Sequence, residues 1–206
     1  MHAFVHSFLR RFAALRFPRL AREESGIAAV EFALILPIMI TLWIGGVEIT
    51  GALSVDRRLN SFASSMGDLI ARTKTITYTQ INDVFDLSEA ALFPYSDTGM
   101  SMRISAVDID AAGSAKIAWS RARGSGLTAY VKNTTVNTSV PATLRGVANA
   151  DTQIIMAEVE HTYRPAVGYV ITGDLALDDR MFFVPRLVKQ VKICPTADIA
   201  SCVNTI

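Results

Sequence analysis

The chain has 206 residues, of which 50% are hydrophobic and 19% are charged, and its 20 basic and 19 acidic residues leave a net charge of +1. A near-neutral chain without a basic block lacks the cationic face that nucleic-acid binding requires, so we expect no nucleic-acid partner. Two cysteines are too few for a disulfide-rich fold or a four-cysteine zinc site, and this apolar fraction excludes wholesale disorder.

Residues 1–26 are predicted to form a basic cytoplasmic leader. Five arginines lie in it: Arg10, Arg11, Arg16, Arg19 and Arg22. Aromatic and leucine side chains recur among them at helical spacing: Phe4, Phe8, Phe12 and Leu15. This pattern predicts a short amphipathic helix that can lie on an anionic membrane surface.

Residues 27–53 are predicted to form a transmembrane helix. The first part, residues 27–47, carries one charge, Glu31, and as a helix would rise about 30 Å, enough to cross the hydrocarbon layer. Glu48 follows at the opposite interface, where we expect water to solvate it. The sequence contains no second candidate span.

Beyond the span, the helix is predicted to continue as an amphipathic extension over residues 54–75. Apolar residues recur there every three or four positions: Val55, Leu59, Phe62, Met66, Leu69 and Ile70. A shorter helix is predicted for residues 80–92, closed by Pro94.

The remaining chain changes to the period of two that is typical of strands. Strands are predicted for residues 100–109, 115–123 and 153–163 and within 180–193, with a turn at 110–113 and a polar loop at 133–141. Residues 76–206 are therefore predicted to form an extracytoplasmic domain with an antiparallel sheet. The predicted fold class is α+β, with a long N-terminal transmembrane and amphipathic helix.

The arginine excess before the span predicts that the N-terminus is cytoplasmic. Arg57 and Arg58, which follow the span, weaken this asymmetry without reversing it. In a bacterium the C-terminal domain would then be periplasmic. Cys194 and Cys202 would lie in an oxidising compartment, and we expect them to form a disulfide that closes a short loop.

We assign no residue to catalysis, to a cofactor or to a metal. The sequence has no HExxH, no GxSxG and no phosphate-binding loop, and His161 is the only histidine outside the leader. The segment beginning at Asp108 approaches a calcium-loop pattern, but Trp119 stands where a bidentate glutamate is required. We therefore expect no enzyme, and a membrane-tethered hydrolase is the weakest alternative.

Glu31 is the residue that most needs an explanation. A carboxylate inside a membrane span costs on the order of 2.5–3.5 kcal/mol on insertion scales, so it needs a partner. If the chain were cut after Gly26, the new α-amino group of Ile27 would be a cation nearby, and Glu31 of one subunit could pair with Ile27 of another. The alternative is a helix-end glutamate that reaches toward the lipid headgroups.

The stretch Ser25–Leu53 resembles the N-termini of type IV pilin-like proteins and, more narrowly, the TadE/TadG-like family of tight-adherence (Flp) pilus assembly proteins. The residues that carry this resemblance are Gly26, Ala28-Ala29-Val30, Glu31-Phe32-Ala33-Leu34, Pro37, Gly46 and Glu48. It implies a pseudopilin-like structural component of a tight-adherence pilus or related secretion system, held in the bacterial inner membrane by a single span.

The resemblance also implies partners and working residues. The partners would be other pilin or pseudopilin subunits, tight-adherence machinery proteins and, if the leader is removed, a prepilin peptidase. Gly26, Ile27, Glu31 and Phe32 would act in processing and assembly. Two alternatives stay open: the leader is kept, or the chain is a membrane-anchored periplasmic binding or sensor domain that never enters a filament.

Overall fold

A computed structural model of the chain describes residues 25–93, 95, 98–146, 152–165, 167–195 and 202. The amphipathic helix predicted for the leader lies outside these residues. The chain divides into two compact units, Met1–Val47 and Glu48–Ile206, which are described in turn.

The first unit contributes the beginning of helix α1, which runs over Ser25–Ala71. The helix continues through Pro37, and the hydroxyl of Thr41 donates a 2.8 Å hydrogen bond to the Pro37 carbonyl oxygen. This confirms the long apolar N-terminal helix that the sequence predicts.

Among its described residues, the second unit contains the rest of α1 and eight further elements. In chain order they are β1 (Thr75–Thr77), α2 (Tyr78–Ala91), β2 (Ser101–Ile109), β3 (Ala115–Arg123), α3 (Ala142–Gly146), β4 (Thr152–Tyr163), β5 (Leu175–Phe183) and β6 (Lys192–Cys194). Four strands form an antiparallel sheet in the order β3-β2-β4-β5, and β1 pairs with β6 in parallel. The predicted α+β class with an antiparallel sheet is therefore confirmed.

Helix α2 begins with a capping box. The backbone N–H of Gln80 donates to the Thr77 hydroxyl, and the Thr77 N–H donates to the Gln80 side-chain oxygen. These two bonds satisfy N–H groups that a helix start otherwise leaves without partners. The helix therefore begins at Tyr78, two residues before the predicted start.

The sheet has an apolar core on each face because successive strand residues point to opposite sides. On β2, Met102, Ile104 and Ala106 face α1 and α2 and join the larger core, whereas Val107 and Ile109 join the smaller one. The segment between β3 and β4 covers the smaller core, and its buried members are Val136 and Val140. Both faces of the central strands are thus covered.

Helix α1 fits the sheet at two glycines. Tyr163 lies against Gly51 and Phe183 lies against Gly67, each so close that a Cβ atom on the glycine would overlap the ring or its hydroxyl. The helix rises about 24 Å between the two glycines, and the strands rise about 26 Å between the paired residues Tyr163–Leu175 and Ile155–Phe183. Because the two rises are similar, one helix can follow the length of the strands.

The strand predicted within residues 180–193 is wrong in its bounds. Strand β5 starts earlier, at Leu175, and ends at Phe183, and β6 forms separately at Lys192–Cys194. Pro185 interrupts the segment because proline has no N–H to donate to a ladder. The three-residue strands β1 and β6 and the short helix α3 carry too little periodicity to be predicted.

Candidate assembly site

The first two turns of α1 carry the residues predicted to act in processing and assembly. Gly26, Ile27, Glu31 and Phe32 are all exposed, and Ile27 and Phe32 keep 59% and 58% of their surface accessible. Ile27 and Glu31 are four positions apart and therefore lie on the same side of the helix. The Glu31 carboxylate is thus accessible to a group outside the chain, and its role in assembly stays a prediction.

The surface around these residues is apolar on all sides of the helix. Every residue from Gly26 to Trp43 is exposed. A helix that is apolar on all sides is unfavourable in water. Such a helix is typical of a membrane span or of a helix packed among others. Within the part of the chain that the structure describes, α1 is the one helix long and apolar enough to cross a membrane, judged by length and composition.

Glu48 is not solvated, contrary to the sequence prediction. Only 2% of it is exposed, and its carboxylate accepts hydrogen bonds from three consecutive backbone N–H groups. The Tyr169 N–H donates to Oε1 at 3.0 Å, and the N–H groups of Val170 and Ile171 donate to Oε2 at 3.1 and 2.7 Å. A buried carboxylate held by several N–H groups is stable in its ionised form.

The sequence contains one weak signal for this contact. Residues 165–173, which we call the clamp loop, connect strands β4 and β5 and carry no charged side chain. The donors, however, are backbone groups that every residue except proline has. No residue pattern therefore identifies Glu48 as their acceptor.

A buried ion network lies on the sheet face that carries the smaller core. The Arg103 Nε donates to Glu158 Oε2 at 2.6 Å, and Arg180 Nη2 lies 2.7 Å from Glu158 Oε1. The side chains of Arg103 and Glu158 are 9% and 4% exposed. Both oxygens of the Glu158 carboxylate are occupied by arginine, so the network links three strands, β2, β4 and β5.

Arg103 also holds the segment that covers this face. Its other two nitrogen atoms donate to the Thr128 carbonyl oxygen at 2.8 Å and to the Tyr130 hydroxyl at 2.7 Å. The sequence places Arg103 and Glu158 on strands but does not reveal their pairing. That pairing depends on strand register, which aligns Arg103 with Glu158 and Glu158 with Arg180.

A cleft of about 440 Å³ opens where β4 ends. It is lined by Tyr95, Thr98, Gly99, His161, Thr162, Tyr163, Arg164 and Asp174. Burial, followed by the nearby charges of Tyr95 and Glu48, raises the pKa of Tyr163 above its usual value. Among the residues that the structure describes, no group of three or more His, Cys, Asp or Glu side chains could hold a metal ion.

The two cysteines are bonded to each other in the structure. Cys194 is buried at the end of β6, so the bond ties Cys202 to the small parallel sheet. Formation of this bond in the cell depends on the compartment and stays a prediction.

These features define an α+β protein with an N-terminal helix that could anchor it in a membrane. Residues 26–67 match the model of the family described as TadE-like protein. The match starts at Gly26, so the chain carries a TadE-like segment, and the resemblance seen in the sequence is confirmed. No curated protein and no solved structure shows significant similarity to the chain. Similarity to the TadE-like family indicates involvement in the assembly of tight-adherence pili.

Proposed function

We propose that the chain is a pseudopilin-like structural component of a tight-adherence pilus or a related secretion system. The observation that carries this proposal is the TadE-like match, which begins at Gly26 and includes Glu31. The exposure of residues 26–43 supports it, because such a helix requires lipid or other helices around it.

Assembly would depend on charge pairing inside the membrane. The Glu31 carboxylate of one subunit would pair with the α-amino group of Ile27 in a neighbour after removal of the leader. Insertion of an unpaired carboxylate is unfavourable, so the pairing would stabilise the assembled state relative to the single subunit. Other pilin or pseudopilin subunits are the partners that this mechanism requires.

The proposal includes a location. The N-terminus would be cytoplasmic, α1 would cross the inner membrane, and the second unit would lie in the periplasm. The geometry of Cys194 and Cys202, which brings the two sulfur atoms together, is compatible with this location, since disulfides persist in oxidising compartments.

Replacement of Glu31 by glutamine tests the assembly role. The amide keeps the shape and removes the charge, and it is less costly to insert, so the amount of protein in the membrane should hold or rise. We expect Glu31→Gln to lose co-purification with other pilus components and to reduce piliation. Asp56→Asn is the matched control, because Asp56 is an exposed acid further along the same helix.

Two results would contradict the pairing. One is normal piliation and co-purification by Glu31→Gln. The other is an intact mass of the membrane protein that still includes residues 1–26, because Ile27 would then have no free amine.

A second candidate function is an anchored binding or sensor domain, and the cleft at the end of β4 favours it. This function predicts that deletion of the chain leaves the pilus intact. Electron microscopy of cells that lack the chain therefore separates the two candidates. If the chain is a required assembly component, its deletion should leave the cells without pili.

A further inference from the structure

The clamp loop, residues 165–173, combines an uncharged sequence with exposed apolar side chains. Val167 and Tyr169 keep 60% and 63% of their surface accessible, and Val170 keeps 43%. Gly168 has a φ of +66°, a backbone conformation that side-chain-bearing residues rarely adopt, and it lies between the two most exposed of them. Three apolar residues in a short exposed turn are unfavourable in water.

An ion pair closes the base of this loop. The Arg164 Nε lies 3.2 Å from the Asp174 Oδ1, and both residues are more than half exposed. The charges therefore stand at the two ends of the loop, and the residues between them are uncharged. This is the distribution expected of a turn that enters an apolar layer with its charges left outside.

Glu48 fixes the position of the loop along α1. Its carboxylate binds the N–H groups of Tyr169, Val170 and Ile171. Glu48 directly follows the apolar residues 27–47, whose helical rise of about 31 Å equals the thickness of a bilayer hydrocarbon core. A span over residues 27–47 would therefore bring Glu48, and the loop bound to it, to the level where the hydrocarbon layer ends and the headgroups begin.

The helix surface next to Glu48 has the same character. Ile49 and Leu53 are one turn apart and keep 51% and 50% of their surface accessible. Apolar surface thus continues past Glu48 on the helix as well as on the loop. Tyrosine is also enriched at the interface between hydrocarbon and water, where its ring and hydroxyl occupy different layers.

We propose that the clamp loop is a second membrane contact, in which Val167, Tyr169 and Val170 enter the headgroup region of the leaflet that the span reaches at Glu48. The occupant of this surface is phospholipid. The inference rests on the membrane span of the proposed function. The loop also shields the Glu48 carboxylate at this depth by giving it three N–H partners.

Photo-crosslinking of the full-length protein in phosphatidylethanolamine–phosphatidylglycerol vesicles tests this contact. A benzophenone amino acid replaces Tyr169, whose backbone N–H remains available to Glu48. Position 167 is a second loop site in case the first substitution disturbs folding. Adducts are identified by mass spectrometry of the digested protein.

Two control positions make the result specific. Trp43, within the apolar residues and 72% exposed, reports insertion of the span. Val131 is 76% exposed but lies at the opposite end of the sheet, because the N–H of nearby Asn133 bonds to Ile117, which is about 30 Å from the end of β4.

We expect phospholipid adducts at positions 43 and 169. At position 131 we expect the amount of phospholipid adduct to stay at background. Lipid adducts at 43 with none at 169 or 167 would overturn the loop contact while the span remains supported. Protein–protein adducts at 169 in place of lipid would also overturn it. Absence of adducts at 43 as well would refute the span itself.

Discussion

Three glutamates show how the surroundings of a side chain decide its role. Glu31 is exposed on an apolar helix, Glu48 is buried against backbone N–H groups, and Glu158 is buried between two arginines. Burial of a carboxylate is tolerated at the last two positions because both oxygens have donors. Glu31 has the exposure that an intermolecular role requires.

Replacement of Glu48 by glutamine should destabilise the second unit. One oxygen of the amide would have to serve three N–H donors, and its NH₂ group would face some of them, which costs about 1–3 kcal/mol for buried polar groups. Urea unfolding of the full-length protein in detergent measures the change. Asp56→Asn, an exposed change of the same kind, should stay within about 0.5 kcal/mol of the parent. Equal unfolding midpoints for Glu48→Gln and the parent would refute the structural role of Glu48.

Replacement of Glu158 by glutamine should have a larger effect. It leaves the buried Arg103 guanidinium without its counter-charge, and breaking a buried pair costs about 3–5 kcal/mol. The exposed pair Arg164–Asp174 offers the matched control, since Asp174→Asn should cost no more than about 1 kcal/mol. The two free energies of unfolding are compared directly, and similar losses in both variants would show that the buried network contributes no special stability.

At the scale of elements, the fit of α1 to the sheet depends on small residues at defined places. Gly67 is buried on the helix, and Phe183 occupies the space where its Cβ would lie. Glycine inside a helix is unfavourable by about 1 kcal/mol relative to alanine, so its presence there needs a packing reason. The close approach of the Phe183 ring is that reason.

Replacement of Gly67 by alanine should therefore destabilise the fold despite the better helix propensity. Overpacking costs about 1–3 kcal/mol and outweighs the propensity gain of about 1 kcal/mol. In a Phe183→Ala background the space is free, so the same change should stabilise by up to about 1 kcal/mol. Denaturant unfolding of the four proteins in this double-mutant cycle gives the sign in each background. The same sign in both would contradict the packing argument.

The elements that could be predicted from the sequence are those with a long local period. Helix α1 and strands β2, β3 and β4 have such a period. The predicted bounds of the three strands lie within one residue of the observed ones, whereas the helix was predicted over residues 27–75 and is observed over Ser25–Ala71, because β1 begins at Thr75. The parallel pair β1–β6 could not be predicted, because each strand has three residues and is held by a distant partner. The bounds of strand β5 could not be predicted for a related reason: four of its nine residues are exposed, none is fully buried, and the strand shows no apolar alternation.

At the scale of the whole molecule, the parts of the site that could be predicted are those whose residues lie close together in the sequence. Gly26, Ile27 and Glu31 lie within six residues, so their spacing can be read from the sequence. The Glu48 contact joins residues more than 120 positions apart, and the donors are backbone groups. Solvation was the natural expectation for a lone acid at the end of an apolar run, and tertiary structure overrode it.

The orientation of the chain is the remaining whole-molecule prediction. Because arginines are in excess before the span, reporter fusions after residue 75 should be active with an enzyme that works in the periplasm and inactive with one that works in the cytoplasm. Fusions that replace the leader arginines with glutamine serve as the control, since they should lower this asymmetry. The opposite activity pattern in the parent would overturn the orientation and, with it, the compartment that favours the Cys194–Cys202 bond.

The pairing of β1 with β6 sets the order in which the molecule is built. Thr75 follows α1 closely, yet its partner, Lys192, comes near the end of the chain. Since the chain is made from its N-terminus, α1 is complete long before β6 exists, and the small sheet cannot form until residues 192–194 have been made. Until β2 and β4 have been made, the buried side of α1, including Val55 and Leu59, has no sheet to cover it. Helix α1 is therefore complete before the domain closes, and we expect the newly made chain to be most exposed to aggregation and proteolysis in the interval between the two events.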